Sequence, residues 1–130
     1  MNSSIESQLL ELNDRLLASI AGKDWDAYAE LCDPEVTCFE PEARGHLVAG
    51  LAFHKYYFGL PPSTGSRNST LSAPHVRLLG NDAAVVSYVR LIQYLDANGI
   101  AQTAQFEETR IWERQNGKWK HVHFHRSANA

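Results

Sequence analysis

From Ala83 to Ser127 the chain reads AAVVSYVRLIQYLDANGIAQTAQFEETRIWERQNGKWKHVHFHRS. Three runs rich in valine, isoleucine, tyrosine, phenylalanine and tryptophan are parted by Asn98-Gly99 and Asn116-Gly117, dipeptides that tolerate the positive φ angles of a tight hairpin. A fourth run precedes them and ends at Gly80-Asn81-Asp82. The spacing predicts strands over 70–79, 83–95, 101–113 and 118–127, laid down as an antiparallel meander.

Upstream, the apolar period changes from two residues to three or four. Ile5, Leu9, Leu12, Leu16 and Ile20 predict an amphipathic helix over 4–21, with Ser3 and Glu6 as its capping box and Gly22 as its stop. Asp24 opens a second short helix, DWDAYAELC, which ends before Asp33-Pro34, and Val36 to Phe39 reads as a short strand. A third helix is expected from near His46, where Leu47, Leu51, His54 and Phe58 share one face, so that His54 points inward. The segment GLPPSTGSRNS, residues 59–69, is strongly loop-like and divides helices from strands. Helices followed by consecutive antiparallel strands mean an α+β domain, with the helices on the concave face of a curved sheet.

Composition removes several function classes. A chain of 130 residues, 44% hydrophobic and 21% charged, suits one domain over 1–130 with a single core, and is too short for a protein kinase. Twelve basic residues against fifteen acidic give a net charge of -3 with no block of either sign, so nucleic acid is not an expected partner. The opening MNSSIESQLLELND has no basic leader followed by an unbroken apolar run. Neither a signal peptide nor a membrane span is expected, and the expected location is the cytoplasm. Cys32 and Cys38 form no CxxC motif and have no partner pair for zinc, so both are expected as free thiols.

Strand parity then sorts the side chains. Val86, Tyr88, Arg90, Ile92 and Tyr94 share one face of the second long strand; Phe106, Glu108, Arg110 and Trp112 share one face of the third; Val122, Phe124 and Arg126 share one face of the last. Three arginines on successive strands are a poor choice for a plain core, because arginine is rarely buried without a partner. The opposite faces, with Val85, Ser87, Val89, Leu91, Thr109 and Ile111, are also fairly apolar, which leaves open that the arginines lie on a solvated side. If Arg126 points inward, His121, His123 and His125 lie on the outer face.

These stretches carry a family resemblance. Leu31-Cys32-Asp33-Pro34, Phe39-Glu40-Pro41-Glu42-Ala43, Phe53-His54-Lys55-Tyr56-Tyr57-Phe58, Pro74-His75-Val76, Tyr88 to Asp96, Glu107 to Trp112, Gly117-Lys118-Trp119 and Val122 to Ser127 occur in that order. Together they resemble the association (hub) domain of calcium/calmodulin-dependent protein kinase II over about residues 6–128. The resemblance implies a cone-shaped fold of the nuclear-transport-factor or SnoaL-like, cystatin-like type, and a non-catalytic module that pairs into dimers and builds rings. It implies a pocket lined by Arg90, Arg110 and Arg126, with His54 on the helix that faces it. The loop from Gly59 to Asn68 is shorter and richer in proline than the resemblance leads one to expect.

Kinase activity and calmodulin binding do not follow, since no glycine-rich loop, His-Arg-Asp loop or Asp-Phe-Gly is present. Two function classes remain. The first is an oligomerisation module, at least a homodimer formed across the outer sheet face, whose pocket of His54, Tyr88, Arg90, Glu108, Arg110 and Arg126 binds a small anion such as a carboxylate. The second is an enzyme of the ketosteroid-isomerase-like type, with Glu108 as base and Tyr88 as donor; flanking guanidinium groups would make Glu108 a weak base and a structural ion pair instead. No cofactor is expected, and no metal at the three C-terminal histidines, which lack a supporting third ligand. Glu108 balances one arginine only, so the Arg110→Met change is expected to cost little stability.

Overall fold

The computed structural model describes residues 4–61 and 67–128. Helix α1, Ile5–Ala21, starts at Ser4, whose hydroxyl accepts the Ser7 N–H; Ser3, expected as the cap, lies outside the described residues. Gly22 ends the helix by donating its N–H to the Ala18 carbonyl. Asp24 caps α2, Trp25–Leu31, by accepting from the Ala27 N–H. Strand β1, Cys32–Phe39, begins four residues earlier than expected and carries Pro34 within it.

The third helix departs from its expected span. A single 3-10 turn, Pro41–Ala43, comes first, then the short strand β2, Val48–Ala49, and only then α3, Ala52–Phe58. The helical spacing of Leu47 and Leu51 is overridden by tertiary pairing: Val48 and Ala49 pair with Cys38 and Thr37 of β1, and the Gly50 N–H donates to the Val36 carbonyl. Gly50 has φ +87°, a conformation that a helix does not contain. Leu47 is consequently exposed, while His54 is buried as expected.

The four long strands are β3 (Arg67–Leu79), β4 (Ala83–Leu95), β5 (Ala101–Gln115) and β6 (Lys118–Ala128), each antiparallel to the next. Arg67 to Ser69, expected in the loop, already belong to β3. The Asn116-Gly117 turn has positive φ at both residues, as the hairpin reading requires. The full sheet runs β2-β1-β6-β5-β4-β3, with β1 parallel to β6. Edge strand β3 tolerates Pro74 because Ala73 and Pro74 bulge out opposite Tyr88.

Along β4, buried residues alternate with half-buried ones: Ala84, Val86, Tyr88 and Arg90 face inward. With Trp112 they meet Leu9, Leu16 and Leu17 of α1 and Tyr28 and Leu31 of α2, forming the main core. Burial of each such large side chain contributes about 1.5–3 kcal/mol, so the helices are held on this face and not the other.

In β6 the expected alternation fails at one place. Ile111 pairs with His123, but Trp112 pairs with His121, so Val122 is an extra residue opposite the third long strand. The bulge reverses parity upstream of it. His121 is therefore fully buried on the inner face with Phe124, whereas His123 and His125 stay outside. The three histidines do not share a face, and Val122 is the bulged residue, not a core one.

Candidate functional site

A cavity of about 590 Å³ opens between the helices and the inner face of the sheet. Its walls include Lys23 from the turn between α1 and α2, His54 from α3, Arg67 from β3, Arg90 from β4, Arg110 from β5 and Arg126 from β6. Four elements thus aim guanidinium groups into one space, since the strand register keeps positions 90, 110 and 126 on the inner face. Tyr28, Phe58, Ile92 and Phe124 supply apolar wall between them.

Glu108 lies beneath this floor. It accepts from the Tyr88 hydroxyl at 2.6 Å and from Arg110 Nη2 at 3.0 Å, and its other oxygen is 3.6 Å from Arg90 Nη1. Burial alone would raise the Glu108 carboxyl, but Arg110, the Tyr88 hydroxyl and Arg90 outweigh it and hold the group below its ordinary range. Burial also lowers Arg90, which Glu108 only partly offsets, while Arg110 is net raised by Tyr88 and Glu108 against its own desolvation. Held low, the buried Glu108 carboxyl is a poor proton acceptor, which does not favour the isomerase-like reading.

The network continues into the core. Asn13 donates to the Tyr88 oxygen at 3.2 Å and accepts the Trp112 indole N–H at 3.2 Å. On the other side of Arg110, His121 Nε2 lies 3.4 Å from Nη1, and the Phe124 ring sits 4.5 Å below the guanidinium. Desolvation and the Arg110 charge push His121 well below the usual imidazole range, so it is neutral in the fold.

Arg126 is balanced separately. It is paired with Glu42, and its Nη2 lies 3.9 Å from Glu40, whose other carboxylate oxygen is 3.1 Å from His54 Nε2. Glu40 caps the single-turn helix that interrupts the expected third helix, and Glu42 lies within it. Two expectations change as a result. Arg110→Met would take from buried Glu108 its nearest cation and leave only Arg90 at 3.6 Å, so it should be destabilising and not cheap. The arginines also carry more counter-charge than Glu108 alone supplies, though Lys23 and Arg67 have no carboxylate in the described ion pairs.

All six sequence-predicted residues meet here: His54, Arg90, Arg110 and Arg126 line the cavity, and Tyr88 and Glu108 support it from below. Sequence reasoning missed Asn13, Lys23, Glu40, Glu42 and Arg67. Asn13 did leave a signal, because it interrupts the apolar stripe of α1 between Leu9 and Leu16. Lys23 and Arg67 lie in turn and loop-like sequence, which gives no direction.

Comparison with known proteins settles the lineage. A model of the calcium/calmodulin-dependent protein kinase II association domain matches residues 6–130. The chain belongs to the association-domain family. The type II alpha chain of that kinase from Drosophila melanogaster is 47% identical over 131 residues, covering 99% of this chain and 25% of the kinase. The chain spans about a quarter of the length of the curated relatives it matches. Among solved structures, the kinase hub homology domain of Chlamydomonas reinhardtii superposes with TM-score 0.90 at 50% identity, covering 98% of this chain and all of the other. A nuclear-transport-factor-2-like protein from Cytophaga hutchinsonii superposes with TM-score 0.77 at 19% identity over 98% and 100% of the two chains, which shows the shared fold. The fold is therefore the α+β type expected, helices on a curved, largely antiparallel sheet. No described helix is long and apolar enough to cross a membrane.

Proposed function

We propose that this association-domain-family chain is a non-catalytic, self-associating module of the cytoplasm, at least a homodimer, whose cavity takes a small carboxylate. The observation that carries the assembly reading is the outer sheet face. Val85, Val89, Leu91 and Ile111 share that face, half-buried in one chain, on the side opposite the helices; Val85 pairs with Ile111, and Val89 and Leu91 pair with Glu107 and Gln105. A second copy laid on that face would remove the apolar patch from water. The names of the relatives, association domain and hub, agree with this reading.

The cavity reading rests on charge. Arg90 and Arg110 share one carboxylate, Lys23 and Arg67 stand at the wall, and guanidinium groups match a carboxylate in a bidentate way. A ligand that binds only the folded state raises its stability by about 1.4 kcal/mol at ten times its dissociation constant. A thermal-shift series with acetate, hydroxy acids, amino acids and sulfate at constant ionic strength tests it. A carboxylate-specific rise that is lost in Arg90→Gln supports the reading; no anion-specific rise, or an equal one in the variant, overturns it.

A further inference from the structure

Beside the cationic floor lies a second cluster of different chemistry. Cys38 of β1, Glu40 at the end of that strand and His54 of α3 present Sγ, a carboxylate oxygen and an imidazole nitrogen, all within 4.8 Å of one another. Cys38 Sγ is 3.5 Å from His54 Nε2, and Glu40 Oε1 is 3.1 Å from the same nitrogen. We propose that Cys38, Glu40 and His54 form a site for one zinc ion, with a fourth, open position toward the cavity.

The distances carry the assignment. Zinc bonds of about 2.3 Å to sulfur and about 2.0–2.2 Å to nitrogen and oxygen, set at tetrahedral angles, place sulfur and nitrogen about 3.5 Å apart and nitrogen and oxygen about 3.4 Å apart. The sulfur–nitrogen edge already has that length, and the oxygen–nitrogen edge needs to open by only a few tenths of an ångström. The donor set of one thiolate, one imidazole and one carboxylate is that of a borderline-soft divalent ion.

The surroundings hold the ligands in place. The His54 ring is packed by Tyr28, Phe53 and Phe124, with centroids 5.5–6.1 Å away. The second carboxylate oxygen of Glu40 faces Arg126 at 3.9 Å, which orients the first. Both Cys38 and His54 are buried, and Glu40 and His54 open onto the cavity, which provides an entry path. A thiolate and a carboxylate match the two charges of zinc, but the Glu40 carboxylate already faces Arg126 and only the Cys38 proton leaves, so binding adds one net positive charge, which the Glu42 carboxylate beside Arg126 faces.

Binding displaces the Cys38 proton to solvent, with a sulfur–zinc bond formed in its place. Because the ligating sulfur must give up its proton, occupancy falls as pH is lowered. The sequence alone does not show the site, since residues 38, 40 and 54 match no zinc spacing and are joined only by the fold.

The test is a titration of the full chain, metal-stripped and without an affinity tag, with cobalt(II) as a spectroscopic probe and then with zinc. One equivalent of cobalt should give tetrahedral d–d bands and a near-ultraviolet thiolate-to-cobalt band, and zinc should displace it. Cys38→Ser should lose the thiolate band, and His54→Gln should weaken binding at least tenfold, while His123→Ala/His125→Ala should change neither. Circular dichroism confirms that each variant is folded. Absence of a thiolate band in the wild type, or its persistence in Cys38→Ser, would overturn the site. Loss of binding in the His123→Ala/His125→Ala variant would place the metal on the outer face and overturn it equally.

Discussion

Glu108→Gln isolates the balance beneath the cavity. The side chain is fully buried, Arg110 is almost so, and Arg90 is a tenth exposed. Glutamine keeps the shape and one acceptor for Tyr88 or Arg110, but removes the charge that both guanidinium groups face. Breaking a buried pair and leaving the partner charged costs about 3–5 kcal/mol, and the retained acceptor places this change near about 3. An unfolding entropy of about 2.1 cal/mol/K per residue gives about 0.27 kcal/mol/K for 130 residues, so the midpoint should fall by about 11 °C. Differential scanning calorimetry at one fixed protein concentration measures it, because self-association would make the midpoint concentration-dependent. Acetate should restore more of the loss in the variant than it adds to the wild type. A fall of only about 2–3 °C, about a quarter of the expected value, would mean that Glu40 and Glu42 neutralise the floor and that Glu108 is not its anchor.

His121 sets a pH dependence. Its folded value lies well below the ordinary imidazole value of 6.5, so its stabilising contribution is complete above that pH and is lost as pH falls toward the folded value. Stability should drop by up to about 1.4 kcal/mol per pH unit between pH 6.5 and 5 from this residue, and urea melts of His121→Gln should show that slope reduced. His123 is lowered too, through burial and His125, so a smaller slope should persist in the variant. Asn13→Leu leaves the Trp112 N–H without its acceptor in the core, and urea melts should show a loss of about 1–3 kcal/mol.

Much of the fold was legible because the strands report themselves twice, by alternation and by Asn-Gly turns. Parity assigned Arg90, Arg110 and Arg126 to the mixed faces of their strands, the family resemblance pointed to a shared pocket, and the fold brings them to one cavity. Parity could not reveal the Val122 bulge, since one extra residue leaves the composition of the run unchanged while reversing every side chain before it. That is why His121, expected outside, lies against Arg110 and Trp112. The third helix was over-extended for a related reason. Residues 46–51 have helical spacing, and only contact with β1, distant from the local pattern, turns Val48 and Ala49 into a strand. Glu40 and Glu42 were visible as residues but not as partners of Arg126, because each pairing joins distant parts of the chain, 84 positions apart for Glu42.

The assembly reading stands or falls on mass in solution. Multi-angle light scattering at micromolar concentration should give the wild type at least twice the chain mass of 14.6 kDa. Val89→Asp on the outer face should lower that mass while leaving the fold intact, because it places a charge where the second copy would lie. A wild-type mass of one chain, or an assembly indifferent to Val89→Asp and Ile111→Asp together, would contradict association through this face.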